Sequence, residues 1–205
     1  MTLPRIMSAG VPLARADKAV IMLHGRGATA PDILTLTDHF EMGDLAYIAP
    51  QAPANSWYPY SFLAPLEQNE PALSQALAMV GELIDGVAKE GINPERVVLL
   101  GFSQGGCLAL EYAARHARRY AAVIGLSAGL IGPQNTPREY AGSLAGTPVF
   151  LGCGDMDDHI PLERVKDSTK VLRGLGGDLK ERIYRGMGHG INEDELLQVR
   201  SLLQA

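Results

Sequence analysis

Short apolar runs alternate along this chain with longer segments whose apolar residues recur every three or four positions. Residues 18–23, 45–49, 97–100, 121–126 and 148–151 are nearly continuous apolar runs, the pattern of strands covered on both faces. Residues 179–184 alternate apolar and polar, which predicts a strand nearer a sheet edge. Within residues 71–89, Leu73, Leu77, Val80, Ile84 and Val87 form one stripe at helical spacing. Leu162, Val165 and Leu172 do the same within residues 161–175, and residues 107–116 also read as a helix. The last helix opens on Asn192 and Glu195, a capping-box spacing, and is expected to bury Leu196, Val199 and Leu203. This β-α-β-α order predicts an α/β fold, a mostly parallel sheet with helices on both faces. Residues 5–14 are expected to add an antiparallel edge. No repeat, low-complexity tract or linker interrupts the pattern, and 205 residues suit one core, so residues 1–205 are read as a single domain.

Composition narrows the classes. A hydrophobic share of 46% with 20% charged residues is that of a folded globular chain. A net charge of −5 gives no electrostatic reason to bind nucleic acid. Residues 1–13 hold Pro4 and Pro12 and polar breaks in place of a signal-peptide core. No apolar run reaches membrane-spanning length, so no stable membrane insertion is expected. The two cysteines, Cys107 and Cys153, each sit in an apolar segment and read as buried, reduced thiols of a cytoplasmic protein. Oligomeric state, a homodimer included, does not follow from the sequence.

The chemistry concentrates after the strands. The run Val97-Val98-Leu99-Leu100 leads into Gly101-Phe102-Ser103-Gln104-Gly105 and then a helix-like stretch. This is the strand–turn–helix context of a nucleophile elbow, which lifts a serine to the top of a sheet. Serine is a weak nucleophile until a base takes its proton, and that base must be held in one tautomer by a carboxylate. Downstream, the strand ending near Leu151 runs into Asp155, Asp157, Asp158 and His159, and the strand ending near Tyr184 runs into His189. Ser103 as nucleophile, Asp157 as orienting carboxylate and His189 as base follow in an order expected of a triad on such a sheet. His159 is the competing base; before Ile160-Pro161 at a helix entrance it reads as a capping or exposed residue. His24, His39 and His116 read as structural. The aspartates do not form a calcium loop: counted from Asp155, the sixth position is Ile160 and the twelfth Lys166. No His or Cys pair has zinc-like spacing either, so no metal and no organic cofactor is expected.

An acyl-transfer site also needs donors aimed at the developing oxyanion. One should be the backbone N–H of Gln104, the other that of Arg26 in the glycine-flanked loop after the first central strand. Neither a dinucleotide fingerprint nor a Walker lysine is present to make that loop a phosphate cradle. Two long loops, residues 50–70 and 127–147, are expected to flank Ser103. The first carries Trp57, Tyr58, Tyr60, Phe62, Leu63 and Leu66 interspersed with Pro53, Pro59 and Pro65. Such a cluster fits a core or a pocket wall; on the pocket reading, Trp57, Tyr58, Phe62 and Leu63 bind an acyl or aryl group. Cys107 reads as a small packed apolar residue.

Leu23-His24-Gly25-x-Gly27, Gly101-Phe102-Ser103-Gln104-Gly105-Gly106, Gly154-Asp155-x-Asp157 with Pro161, and Gly186-x-x-His189 stand in order. From Ala19 to the C-terminus the chain resembles the phospholipase/carboxylesterase family of α/β-hydrolases, which includes acyl-protein thioesterases and small bacterial carboxylesterases. The resemblance implies an α/β-hydrolase fold without a large lid domain. It also implies a Ser103–Asp157–His189 triad and oxyanion donors from Arg26 and Gln104. Cys153 stands where the family often has histidine, and Asp158 where it often has proline. Residues 57–70 are unlike the eukaryotic thioesterases, so protein deacylation is not carried over. The expected activity is serine-dependent cleavage of a small-molecule carboxylic ester or thioester, or of a lysophospholipid, through an acyl-enzyme. The alternatives are a lactone or dienelactone-type hydrolase of aromatic compound breakdown, whose usual cysteine nucleophile is absent, and a non-catalytic binding module.

Overall fold

The computed structural model describes residues 5–40 and 43–205. Residues 1–4, part of the stretch read for a leader, lie outside them, as do residues 41–42. Seven strands form one sheet: β1 (Ile6–Gly10), β2 (Lys18–Leu23), β3 (Leu45–Pro50), β4 (Val97–Phe102), β5 (Ala122–Leu126), β6 (Pro148–Gly154) and β7 (Asp178–Tyr184), in the order β1-β3-β2-β4-β5-β6-β7. Strands β2 to β7 are mutually parallel. β1 is antiparallel to β3, with Ile6 opposite Pro50 and Gly10 opposite Ala46. The expected mostly parallel sheet and antiparallel edge are thus both found, and the alternating segment is the opposite edge, β7.

The helices are α1 (Ala30–Leu34), α2 (Ala72–Lys89), α3 (Gln104–Arg115), α4 (Leu162–Gly174) and α5 (Glu193–Gln204). Alternate strand residues point to opposite faces, and the core divides accordingly. Ile21, Leu99, Val123 and Leu151 pack with α2, α3 and α4 on one face. Val20, Met22, Leu100, Ile124 and Phe150 pack with α1 and α5 on the other. The apolar stripe of α2 is buried as its spacing requires.

Two details depart from the sequence reading. The five-residue α1 was not expected, because it is too short to show a helical period. Its start is nevertheless encoded: the Thr29 side chain accepts from the Asp32 N–H, and the Asp32 side chain accepts from the Thr29 N–H. At α5 the capping box on Asn192 and Glu195 forms as expected. There Leu196 is only half-buried, whereas the Glu195 carboxyl is fully buried.

Candidate active site

The end of β4 makes the turn on which the site is built. Ser103 has φ 54° and ψ −122°, a conformation that costs a non-glycine residue about 1–3 kcal/mol and persists only when its surroundings enforce it. The enforcement is visible on either side. A Cβ on Gly105 would lie 2.1 Å from the Leu23 carbonyl oxygen, and one on Gly101 would lie 2.3 Å from the Gly105 backbone. Strand β4, the neighbouring β2 and helix α3 therefore meet at backbone contact, which only glycine permits. The Ser103 N–H donates to Leu126 O at 2.9 Å, and its carbonyl accepts from Cys107 N at 2.8 Å. Its hydroxyl is left pointing off the sheet.

His189 comes to this hydroxyl from the loop between β7 and α5. Its Nε2 lies 2.9 Å from Ser103 Oγ, and its Nδ1 lies 2.8 Å from Asp157 Oδ2. A carboxylate can only accept, so Nδ1 carries the proton and Nε2 faces the serine with its lone pair. Asp157 stands just beyond β6 with its side chain fully enclosed. Its other oxygen, Oδ1, accepts from the His159 and Ile160 N–H groups, each at 2.9 Å. Burial alone would raise this carboxyl; the hydrogen bonds from His189, Ile160 and His159 outweigh it and hold the group below its ordinary value. The other two aspartates do different work. Asp155 Oδ1 accepts from Gly186 N at 2.7 Å and so ties the His189 loop to the end of β6. Asp158 is exposed, 3.6 Å from His159.

Gln104 is the first residue of α3, where a backbone N–H has no intrahelical partner. Arg26 lies across from it in the loop after β2. The side chains of both residues turn away from the serine and clasp the loop of residues 50–70. Gln104 Oε1 accepts from Trp57 N at 3.0 Å, and Gln104 Nε2 donates to Tyr58 O at 2.8 Å. The Arg26 guanidinium donates to Ser56 Oγ at 3.0 Å, to Pro59 O at 2.8 Å and to Tyr60 O. Buried Asn69 completes the loop by accepting from Tyr60 N and donating to Ser61 O.

Next to Ser103 lies a cavity of about 440 Å³, lined among others by Arg26, Tyr58, Phe62, Cys107, His159 and Ile160. Of the four residues expected to bind substrate from the long loop, Tyr58 and Phe62 reach it, and Trp57 and Leu63 do not line it. Trp57 is 3% exposed and its indole N–H donates to His24 O at 2.8 Å, so it is core. Leu63 is partly buried against the core cluster of α2 and α3. His24 is structural as expected: its Nδ1 donates to Gly25 O and its Nε2 accepts from Ala52 N.

Several wall residues escaped the sequence reading, Phe102, His159 and Cys107 among them. Phe102 lies against the His189 ring with centroids 5.0 Å apart, and His159 meets that ring edge-on at 4.6 Å. His159 is exposed, as expected, yet it also forms part of the wall. Cys107 is buried, as expected, but one helical turn after Ser103 it also faces the cavity. The i, i+4 spacing is the signal that could have revealed it. Among the described residues, no three His, Cys, Asp or Glu side chains form a group that could hold a metal ion.

The likeness to known proteins runs the length of the chain. A model of the phospholipase/carboxylesterase family matches residues 4–205. The crystal structure of a phospholipase/carboxylesterase from Dyadobacter fermentans is 44% identical, with 98% of this chain and 97% of that one covered and a TM-score of 0.94. The crystal structure of esterase PE8 is 26% identical, with coverages of 97% and 96% and a TM-score of 0.82. Acyl-protein thioesterase 1 of Gibberella zeae is 29% identical over 235 residues, spanning 100% of this chain and 97% of its own length. With the family model covering nearly every residue and the sheet superposing on these enzymes, the chain belongs to the phospholipase/carboxylesterase family of α/β-hydrolases.

Proposed function

We propose that this hydrolase cleaves small carboxylic esters or thioesters through an acyl-enzyme on Ser103. The observation that carries the reading is the unbroken hydrogen-bond chain from Ser103 Oγ through the His189 ring to Asp157. In the first half-reaction Ser103 Oγ attacks the substrate carbonyl carbon while His189 Nε2 takes the hydroxyl proton. The carbonyl oxygen becomes an oxyanion, received by the backbone N–H groups of Gln104 and Arg26. The tetrahedral adduct collapses, the bond to the leaving oxygen or sulfur breaks, and His189 returns its proton to that atom. In the second half-reaction a water gives its proton to His189 and attacks the acyl carbon, and Ser103 leaves as the restored hydroxyl. Asp157 stays ionised throughout and fixes the imidazole. The wall reading of Tyr58 and Phe62 is supported by their place on the cavity beside Ser103. A cytoplasmic setting is supported by the two buried, unpaired cysteines. No helix among the described residues is long and apolar enough to cross a membrane.

The cavity is modest in volume, so turnover of p-nitrophenyl esters is expected to peak at short acyl chains and to fall steeply towards palmitate. Steady-state kcat/KM across the series from acetate to palmitate, beside Ser103→Ala, tests this. A maximum at long chains would move the substrate class to lysophospholipids or long-chain thioesters, and turnover that survives Ser103→Ala would overturn the nucleophile.

A further inference from the structure

The wall of the cavity beside Ser103 is braced from behind by a buried charge. Arg164, on α4, is 5% exposed. No carboxylate among the described residues stands within ion-pair distance of it. Its Nη1 donates instead to two carbonyl oxygens of the loop of residues 127–147, Leu130 O at 2.7 Å and Gly132 O. Its guanidinium carbon lies 5.9 Å from the centroid of the Phe62 ring, within reach of a cation–π contact, and Phe62 lines the cavity. The arginine stem rests on bare backbone, since a Cβ on Gly129 would lie 2.7 Å from Arg164 Cγ.

Residues 130–132 form a strut between α4 and Phe62, and every backbone polar group in them is bound. The N–H of Leu130 donates to Ser168 Oγ at 2.8 Å, that of Ile131 to Glu111 Oε2 at 3.0 Å and that of Gly132 to Phe62 O at 2.7 Å. The carbonyls of Leu130 and Gly132 accept from Arg164, and that of Ile131 accepts from Arg138 Nη1 at 2.7 Å. Gly132 has φ 112°, a conformation that favours glycine. A buried cation without a counter-ion is expensive. Burial, and then the like charge of Arg138, lower the Arg164 pKa from its ordinary value. Packing α4 on the sheet does not need this group, because Val165 and Leu172 of the same helix are fully buried. What an arginine adds is a rigid planar donor that serves two carbonyls and a ring at once.

We propose that Arg164 is a positioning residue for acyl selectivity: it holds the Phe62 ring against the cavity and so limits the length of the acyl group that Ser103 accepts. This deepens the reading of Ser103 as the nucleophile and rests on it. Arg164 makes no hydrogen bond to Ser103, His189 or Asp157, so it acts on which ester fits and not on the chemical step. With the brace removed, the Phe62 wall yields and longer acyl groups enter.

The test is a double-mutant cycle read on selectivity. The ratio of kcat/KM for p-nitrophenyl butanoate to that for the octanoate is measured in wild type, Arg164→Met, Phe62→Ala and the double variant, with Ser103→Ala as control. Arg164→Met is expected to lower the ratio by about fivefold or more in the wild-type background and by less than about twofold in the Phe62→Ala background. A merely structural role would lower the thermal midpoint and slow both esters alike, leaving the ratio in place. Arg164→Lys keeps the charge but not the planar donor. It is carried through the same cycle, should move the ratio in the same direction by less, and decides the question if Arg164→Met does not fold. A ratio that stays unchanged, or changes equally in both backgrounds, overturns the brace and leaves the nucleophile standing. Turnover that persists in Ser103→Ala overturns the nucleophile alone, and no turnover of either ester overturns both.

Discussion

Ser103→Ala and His189→Ala are each expected to lower kcat by about 10³-fold or more while leaving the fold intact. Neither side chain holds the core: among the described residues Ser103 Oγ bonds only to His189, and the His189 ring lies on the cavity against Phe102 and His159. The two act as a unit, so the double variant should be little worse than either single one. The carboxylate can be identified in the same assay. In Asp157→Asn the amide oxygen is claimed by the N–H groups of His159 and Ile160, which already bind Oδ1. The amide NH₂ must then face His189 Nδ1. That forces the proton onto Nε2, the wrong tautomer for a base, and turnover should fall by orders of magnitude. Asp155→Asn keeps an oxygen for the Gly186 N–H, and exposed Asp158 has no comparable contact, so both of those variants should stay within a few-fold of wild type. Near-wild-type rates in Ser103→Ala or His189→Ala, measured with circular dichroism showing a folded protein, would sink the triad.

Glu195→Gln is expected to change how stability depends on pH. The Glu195 carboxyl is completely buried, one of its oxygens accepts from Asn192 N, and the other has no partner among the described residues. Burial above all, with the negative charges of Asp194 and Asp157, raises the group from 4.5 to about 7 against the hydrogen bond from Asn192 N. Between these values the folded protein keeps a proton that the unfolded chain gives up. Stability is therefore highest near pH 4.5 as far as this group is concerned. It declines as pH rises towards about 7 and changes little above that. At about 1.36 kcal/mol per pH unit, the loss is on the order of 3 kcal/mol. The glutamine amide resembles the protonated acid and has no proton to lose. The difference in unfolding free energy between Glu195→Gln and wild type, from urea titrations, should thus grow in favour of the variant from about pH 4.5 to about pH 8. A difference that stays constant over that span would mean that Glu195 does not titrate there. Asp157 works in the opposite direction, since its lowered carboxyl loses its stabilising bonds only as the solution becomes strongly acidic.

Much of this molecule was legible because its sheet is parallel. Strands covered on both faces must be apolar throughout, so the runs at 97–100 and 148–151 stand out, and the loops at their ends are where a sheet of this type gathers its chemistry. Ser103, Asp157 and His189 could be singled out for that reason, although they are scattered over 86 positions. The less legible parts lack a period. Within residues 50–70, Tyr58 and Phe62 face the cavity while Trp57 and Leu63 do not, and a proline-rich loop offers no alternation from which to read that difference. The burial of Glu195 is invisible for a related reason. A capping-box residue looks like a surface residue in sequence, and only the seat of α5 against β5 and β6 takes it out of water. His159 joins the site through the fold of two loops, with no local pattern to announce it.

The clasp that Arg26 and Gln104 make on the loop of residues 50–70 bears on how this enzyme can be redesigned. On the proposed mechanism each of these residues offers its backbone to the reacting carbonyl, while its side chain holds the wall of the cavity. Pocket shape and transition-state stabilisation therefore share the same two anchors. Transplanting a relative's loop to alter acyl preference transplants the anchor points as well. A graft that displaces the carbonyls of Tyr58 or Pro59 will slow the chemical step even on esters it binds well. Side-chain exchange at Phe62, whose carbonyl instead accepts from Gly132 N, leaves both anchors in place and is the safer route to a new specificity.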